Sequence, residues 1–347
     1  MNTKPVTALL IVLAGYAVSG CDLFFPPTPP TGSQAIFDEI WNTFDQKYSY
    51  FSYKNVDWDA VREANRPNFA ESLTPDAFAQ KIAVVLAELR DVHVNVETPD
   101  GTAVEVYVKA WVQNYPSTPR NRYTASGYSV IGNHVVYHAW IGSGAVRNIG
   151  YIRVDTLDTG AFTSISESDI DALFETYESA DGLILDIRPN NGGNENIAAR
   201  FASHFTNQPR DYGYHQYRNG PAHDDFDSIE KRTLNPAVSN RFLKPAACLI
   251  GPRCLSSAES FALMMRACPN VALVGATTRG GSGSPEWFTA SNGVRYSVSR
   301  WIAYDADLIE IEDNGVSPDA GFEIAPDDSL DGEHDYVLEA ALEALEI

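Results

Sequence analysis

Apolar positions change their spacing along the chain. From 33 to about 90 they recur at helical intervals, as Ile36, Ile40, Trp41, Phe44 and Tyr48, and again as Phe78, Ile82, Val85, Leu86 and Leu89. Ser33 reads as the cap of the first helix, and a second runs from about 57 to 65. Thr74-Pro75 opens the third, because an N-cap followed by proline loses no hydrogen bond. The aromatic patch between 48 and 58 lies among them. Beyond 90 the pattern shortens to strand-like pieces at 91–96, 104–108, 128–131, 135–141 and 149–154, with a loop at 115–122. A helix at 164–177 leads to Leu183-Ile184-Leu185, an apolar run without alternation and so a strand covered on both faces. It ends in a polar, glycine-bearing turn, and a helix follows at 194–205. The stretch 211–226 reads as loop. Further buried strands at 246–250 and 271–275, a helix at 256–267, a glycine loop at 280–283, strands near 294–299 and a helix at 335–345 complete the chain. Strands alternating with helices predict an α/β fold with a mixed sheet, behind a helical N-terminal unit.

The first residues change the picture of where this domain works. One early charge, Lys4, precedes an apolar stretch from Val6 to about Val18, too short to span a bilayer, so 1–20 reads as an export signal. Val18-Ser19-Gly20-Cys21 resembles the lipobox of bacterial lipoproteins. In that reading Cys21 is acylated and holds the protein to a membrane of the cell envelope; in an ordinary cleaved signal it is a free thiol. Residues 21–32 then form a proline-rich tether. The expected division is 1–20 signal, 21–32 tether, 33–90 helical domain and 91–347 core.

A net charge of −21 argues against nucleic acid and against anionic membrane surfaces as partners. Cys248, Cys254 and Cys268 fit no zinc spacing; an oxidising compartment permits one disulfide, and packing is the simpler role. No metal or organic cofactor is expected.

Two stretches carry candidate chemistry. Asp186-Ile187-Arg188-Pro189-Asn190-Asn191-Gly192-Gly193 sits where a buried strand meets a helix, so its free N–H groups can hold a developing oxyanion. Equally, Asp186, Arg188 and Asn190 can simply tie the turn. Ser256 lies at a helix N-terminus, where the dipole favours the negative charge of a nucleophile. Ser256-Ser257-Ala258-Glu259 is also a capping box. His93 is a candidate base and Glu312 a candidate to orient it.

Taken in order, these segments resemble the S41 serine peptidases, the tail-specific or C-terminal-processing family, and within it the tricorn-like branch. Asp186–Gly193 resembles the Asp-x-Arg-x-Asn-x-Gly-Gly signature, and Cys254–Glu259 the nucleophile segment, with Ser256 in the nucleophile place. Leu273-Val274-Gly275-Ala276-Thr277-Thr278-Arg279-Gly280-Gly281 resembles Val-Gly-x-x-Thr-x-Gly. Leu89-Arg90-Asp91-Val92-His93 resembles Leu-x-Asp-x-His, and the run from Glu312 to Asp319 resembles Glu-Asn-x-Gly-Val-x-Pro-Asp. The resemblance implies a crotonase-like, tail-specific protease core and a serine endopeptidase acting on exported proteins or peptides. It also implies Ser256, His93 and Glu312 as the catalytic set, and N–H groups of Gly192 or Gly193 and of Ser257 as the oxyanion hole.

Three departures qualify it. Where the Ser-Lys branch carries its lysine stands Gly281, and no lysine follows Ser256. Val92 occupies the place of a serine that supports the glutamate in the tricorn-like branch. About 55 residues separate His93 from the strand at Ile149, too few for a PDZ domain. The stretches 211–223 and 280–285 are candidates, by position, to select substrate. Two other functions stay open: a ligand-binding protein without catalysis, and a hydrolase of non-peptide substrates.

Overall fold

The computed structural model describes residues 31–141 and 148–345. The central sheet has the order Val271–Gly275, Ala246–Ile250, Gly182–Asp186, Ile149–Val154, Val136–Ile141, Ser129–Ile131; the first four strands are parallel and the last two antiparallel. Leu183 and Leu185 face the helices Glu167–Thr176, Glu195–Ala202 and Ser257–Arg266, while Ile184 faces the C-terminal helix Tyr336–Ala344. Both faces are covered, which is why this strand is apolar at every interior position. The mixed α/β class is as expected.

A second core lies beneath the N-terminal helices Ser33–Lys47, Trp58–Asn65 and Pro75–Leu86. Its other wall is a four-stranded sheet in the order Pro285–Thr289, Arg295–Ser299, Val96–Glu97, Ala103–Val104. Phe44 stacks on Tyr296 with ring centroids 5.9 Å apart. The helical unit therefore continues into strands from the far end of the sequence, and 90/91 is no boundary between cores. Six aromatic residues from 41 to 58 (Trp41, Phe44, Tyr48, Tyr50, Phe51, Trp58) pack into this core.

The stretch 211–226 departs from expectation. Arg210–Tyr217 is a strand between Trp301–Tyr304 and Glu230–Leu234, with an irregularity between Asp211 and Gly213. Gly213 is required there, since a Cβ would stand 2.4 Å from the Tyr304 carbonyl oxygen. The strand expected at 104–108 shrinks to Ala103–Val104. Cys248, Cys254 and Cys268 are buried free thiols, and Cys254 donates to the Ile187 carbonyl at 3.1 Å. The signal, Cys21 and the tether as far as residue 30 lie outside the described residues. Among those described, no helix is long and apolar enough to cross a membrane.

Candidate active site

The nucleophile candidate comes from a sharp turn between the strand Ala246–Ile250 and the helix Ser257–Arg266. Ser256 has φ 58° and ψ −123°. An ordinary N-cap serine sits in the extended region; a non-glycine residue held here costs about 1–3 kcal/mol. The glutamate half of the capping box is present, with the Glu259 carboxylate on the Ser256 N–H, while the serine side chain makes no cap hydrogen bond, and capping alone does not require that strain.

The turn is held by Glu259, almost wholly buried. Its Oε2 accepts from the N–H of Ser256 and of Gly281, both at 3.0 Å. Its Oε1 accepts from the Thr278 hydroxyl at 2.6 Å and the Gly280 N–H at 2.7 Å. Burial pushes this carboxyl up to about 7, against the pull of those four donors. Thr278 in turn accepts the Val316 N–H at 2.7 Å, and Asp313 donates its N–H to the Gly280 carbonyl at 3.1 Å. One carboxylate thus gathers three separate motif segments around Ser256.

The Asp186–Gly193 segment packs on the other side. Arg188, fully buried, donates to Asp186 (Nε–Oδ1 2.9 Å, Nη2–Oδ2 2.7 Å) and to Asp335 (2.7 and 2.8 Å), so it bolts the turn to the start of the C-terminal helix. Burial would raise the Asp186 carboxyl, but the Arg188 guanidinium holds it below the usual range. Asn190 bridges the Val154 carbonyl and the Gly192 N–H (3.2 and 2.8 Å). The Gly192 N–H is therefore spent, and of the two glycines Gly193 is the one whose N–H remains for an oxyanion. Gly192 is needed for close approach: at φ 98°, a Cβ would lie 2.6 Å from the Leu255 carbonyl oxygen and 3.0 Å from Ser256 Cβ. The Ser257 hydroxyl donates to the Gly193 carbonyl at 2.7 Å, which fixes the two donor segments against each other.

His93 and Ser256 open into the same cleft of about 550 Å³, together with Gly193, Ser257, Ser282 and Trp301. Burial lowers the pKa of the imidazole; the Asp91 charge raises it and Lys54 lowers it further. A base that is neutral at rest is what proton abstraction needs. Ser282, Ser284 and Pro285, from the loop after Gly280, line this cleft, whereas Tyr217–Pro221 line a separate hollow beside Lys47 and Arg300. Of the two stretches considered for substrate selection, the structure brings 280–285 to the site.

Glu312 is buried behind the cleft, with Oε1 on Lys54 Nζ at 2.7 Å and Oε2 on the Ser282 N–H at 3.2 Å. Burial and then the Asp91 charge push it up to about 8 despite Lys54. No hydrogen bond joins Glu312 to His93. Lys54 also bonds Asp313 at 2.7 Å and the Arg90 carbonyl at 3.1 Å. It is the site residue that sequence reasoning missed; the signal was a lone cation in an aromatic, buried stretch. Among the described residues, no group of His, Cys, Asp or Glu converges as a metal site.

Solved structures share this architecture. A candidate peptidase from Parabacteroides merdae ATCC 43184 is 25% identical, with a TM-score of 0.78 over 92% of this chain and 98% of that one. Mature CPAF, 12% identical, superposes with a TM-score of 0.63 over 83% and 92%. The photosystem II D1 C-terminal processing protease, 16% identical, gives 0.53 over 92% and 98%. Among curated proteins, the carboxy-terminal processing protease CtpA of Bacillus subtilis (strain 168) is 26% identical over 185 residues, which are 51% of this chain and 36% of CtpA. The chain thus spans little more than a third of that relative. The Tricorn protease C1 domain model matches residues 29–83, and the Peptidase family S41 model matches residues 148–322, half of the chain. Together with the five interlocked motif segments, this match places the chain in peptidase family S41.

Proposed function

We propose that the chain is a serine endopeptidase. The observation that carries this is the strained backbone of Ser256 at a helix N-terminus, facing His93 across one cleft. The Ser256 Oγ attacks a peptide carbonyl carbon while His93 accepts the hydroxyl proton. The tetrahedral oxyanion is taken by the N–H groups of Gly193 and Ser257. The C–N bond then breaks, and His93 delivers its proton to the leaving amine. Water repeats the sequence on the acyl-enzyme and restores the serine. Glu312, expected from the sequence to orient the imidazole, is instead engaged by Lys54 and the Ser282 N–H in the buried polar network behind the cleft.

The substrates are proposed to be exported proteins or peptides in extended form. That rests on the N-terminal signal and on Cys21 as the acylated anchor to the cell envelope, both readings of sequence. The test is covalent labelling by a fluorophosphonate, in which Oγ displaces fluoride from phosphorus. Wild-type protein should label, and Ser256→Ala and His93→Ala should not. Labelling that survives Ser256→Ala would sink the assignment. A folded wild type that neither labels nor cleaves an unstructured peptide would favour a binding protein on the same fold.

A further inference from the structure

Behind the imidazole lie two carboxylates, and they are engaged differently. Glu312 has both oxygens committed, one to the Lys54 ammonium and one to the Ser282 N–H. Asp91, wholly buried, accepts the main-chain N–H of His93 on Oδ1 at 2.7 Å and the Ser299 hydroxyl on Oδ2 at 2.7 Å. That same Oδ1 stands 4.0 Å from His93 Nδ1. His93 Nδ1 is buried and has no hydrogen-bond partner. A buried ring nitrogen that must carry a proton when the imidazole charges needs an acceptor.

We propose that Asp91, rather than Glu312, is the positioning carboxylate for His93, and that Lys54 holds Glu312 as a strut for the Ser282 side of the cleft. This rests on the serine-peptidase reading of the site. Three features favour it. Asp91 is two residues from His93 and already clamps its main chain, so a small rotation of the ring closes 4.0 Å to a hydrogen bond. Such contacts are commonly long before substrate binds. His93 is fixed from the opposite side as well, since its carbonyl accepts from the Ser297 hydroxyl at 2.6 Å and from Asn95 Nδ2 at 2.9 Å. The Lys54 ammonium cancels the field with which Glu312 would otherwise stabilise an imidazolium.

The surroundings agree. Lys54 comes from the short helix Phe51–Lys54, Tyr48 and Tyr50 from the segment before it, and Glu312 from the segment after the strand Trp301–Tyr304. All four sense the Asp91 charge. Of the charges acting on the ring itself, Asp91 favours the imidazolium and Lys54 opposes it.

The test compares Asp91→Asn with the double variant Lys54→Met/Glu312→Gln, which removes both charges of the buried pair. The first readout is the pH dependence of fluorophosphonate labelling. The second is the NMR titration of His93 in a Ser256→Ala background, which needs no activity. Asp91→Asn should slow labelling at pH 7 by about 10²–10⁴-fold. It should also move the acid limb and the His93 titration to lower pH, because the group that favours the imidazolium is gone. The double variant should lose up to about tenfold in rate through a looser cleft, with the titration unmoved or moved to higher pH, because the Lys54 charge that opposes the imidazolium is gone. The reverse pattern, in which the titration falls to lower pH in the double variant and stays in Asp91→Asn, would overturn the assignment. If no protein labels, the peptidase reading fails, and the titration still decides which carboxylate governs His93.

Discussion

Glu259 and Ser256 are joined twice over. The carboxylate accepts the Ser256 N–H at 3.0 Å, and the Ser256 carbonyl accepts the Glu259 N–H at 2.8 Å. This reciprocal pair turns the chain out of the strand and sets the serine hydroxyl at the mouth of the cleft.

Glu259→Ala is expected to cost at least about 3 kcal/mol, since the Thr278 hydroxyl and the Gly280 and Gly281 N–H groups lose a buried acceptor, while the Ser256 N–H keeps the Gly281 carbonyl at 2.9 Å. Urea unfolding measures the loss. Fluorophosphonate labelling should fall even where the protein remains folded, because Gly281 and Thr278 no longer brace the turn. A stability within about 0.5 kcal/mol of wild type, the usual spread of surface substitutions, would show that the brace is dispensable.

How much of this was legible in the sequence depended on what each residue does locally. The strand Gly182–Asp186 was readable because both faces are covered and its apolar run is unbroken. Arg210–Tyr217 was not, because its sheet is small, most of its side chains are half-buried, and an irregularity at Gly213 breaks the alternation. Ser256 and Glu259 carried a capping-box signature that is true as far as it goes. The strain that separates nucleophile from cap is a property of φ and ψ, which composition does not record. Lys54 could not be placed because its partners, Glu312 and Asp313, lie some 258 residues away in the chain.

Gly192→Ala is expected to cut labelling by about 10²-fold or more, while stability falls by about 1–3 kcal/mol. The added methyl would meet the Leu255 carbonyl at 2.6 Å, so either the nucleophile turn or the Asn190–Gly193 turn must give. Comparison of labelling rate with urea midpoint separates the two effects. A variant that labels at the wild-type rate would mean that the approach of these turns is not needed for attack.

Arg188→Met tests the buried bolt and predicts a change in pH dependence. Removing one partner of a buried ion pair costs about 3–5 kcal/mol. In the wild type the Asp186 carboxyl is held below its ordinary value, so its contribution is present above about pH 4 and is lost as pH falls below that. Without the guanidinium, burial dominates and the folded pKa rises above the unfolded one. The contribution of Asp186 then reverses sign and weakens the fold as pH rises. The gap between variant and wild type should therefore be narrower at pH 3.5 than at pH 6 (values set about the ordinary Asp pKa of roughly 3.9). Equal gaps at both pH values would show that Asp186 does not depend on Arg188.

A fragment beginning at residue 91 is expected not to fold. Tyr296, Val298 and Ile302 share one core with Phe37, Ile40, Phe44 and Leu86, so removing the helices exposes that wall of the sheet. Full burial of such side chains contributes about 1.5–3 kcal/mol each, and the loss of several exceeds the net stability of a typical domain. Circular dichroism and thermal unfolding of the fragment decide the matter. A cooperative transition like that of the longer chain would show that the strands near 295–304 hold without their helical cover.

Ser256→Gly gives the sharpest distinction between a nucleophile and a cap. At an ordinary N-cap, replacing serine by glycine costs a few tenths of a kcal/mol. At φ 58° and ψ −123°, glycine instead relieves a conformation that a side chain resists, so the variant should be more stable by about 1 kcal/mol. It should also be inert to the fluorophosphonate. Ser256→Ala, which keeps a Cβ in the same strained position, should be equally inert but gain no such stability. Urea midpoints for the three proteins, measured side by side, read the difference directly. If glycine stabilises while alanine does not, the fold has kept serine there at a cost in stability, and only the chemistry of its hydroxyl accounts for the choice. If glycine is neutral or destabilising, the turn imposes no strain, and the case for Ser256 must rest on labelling alone.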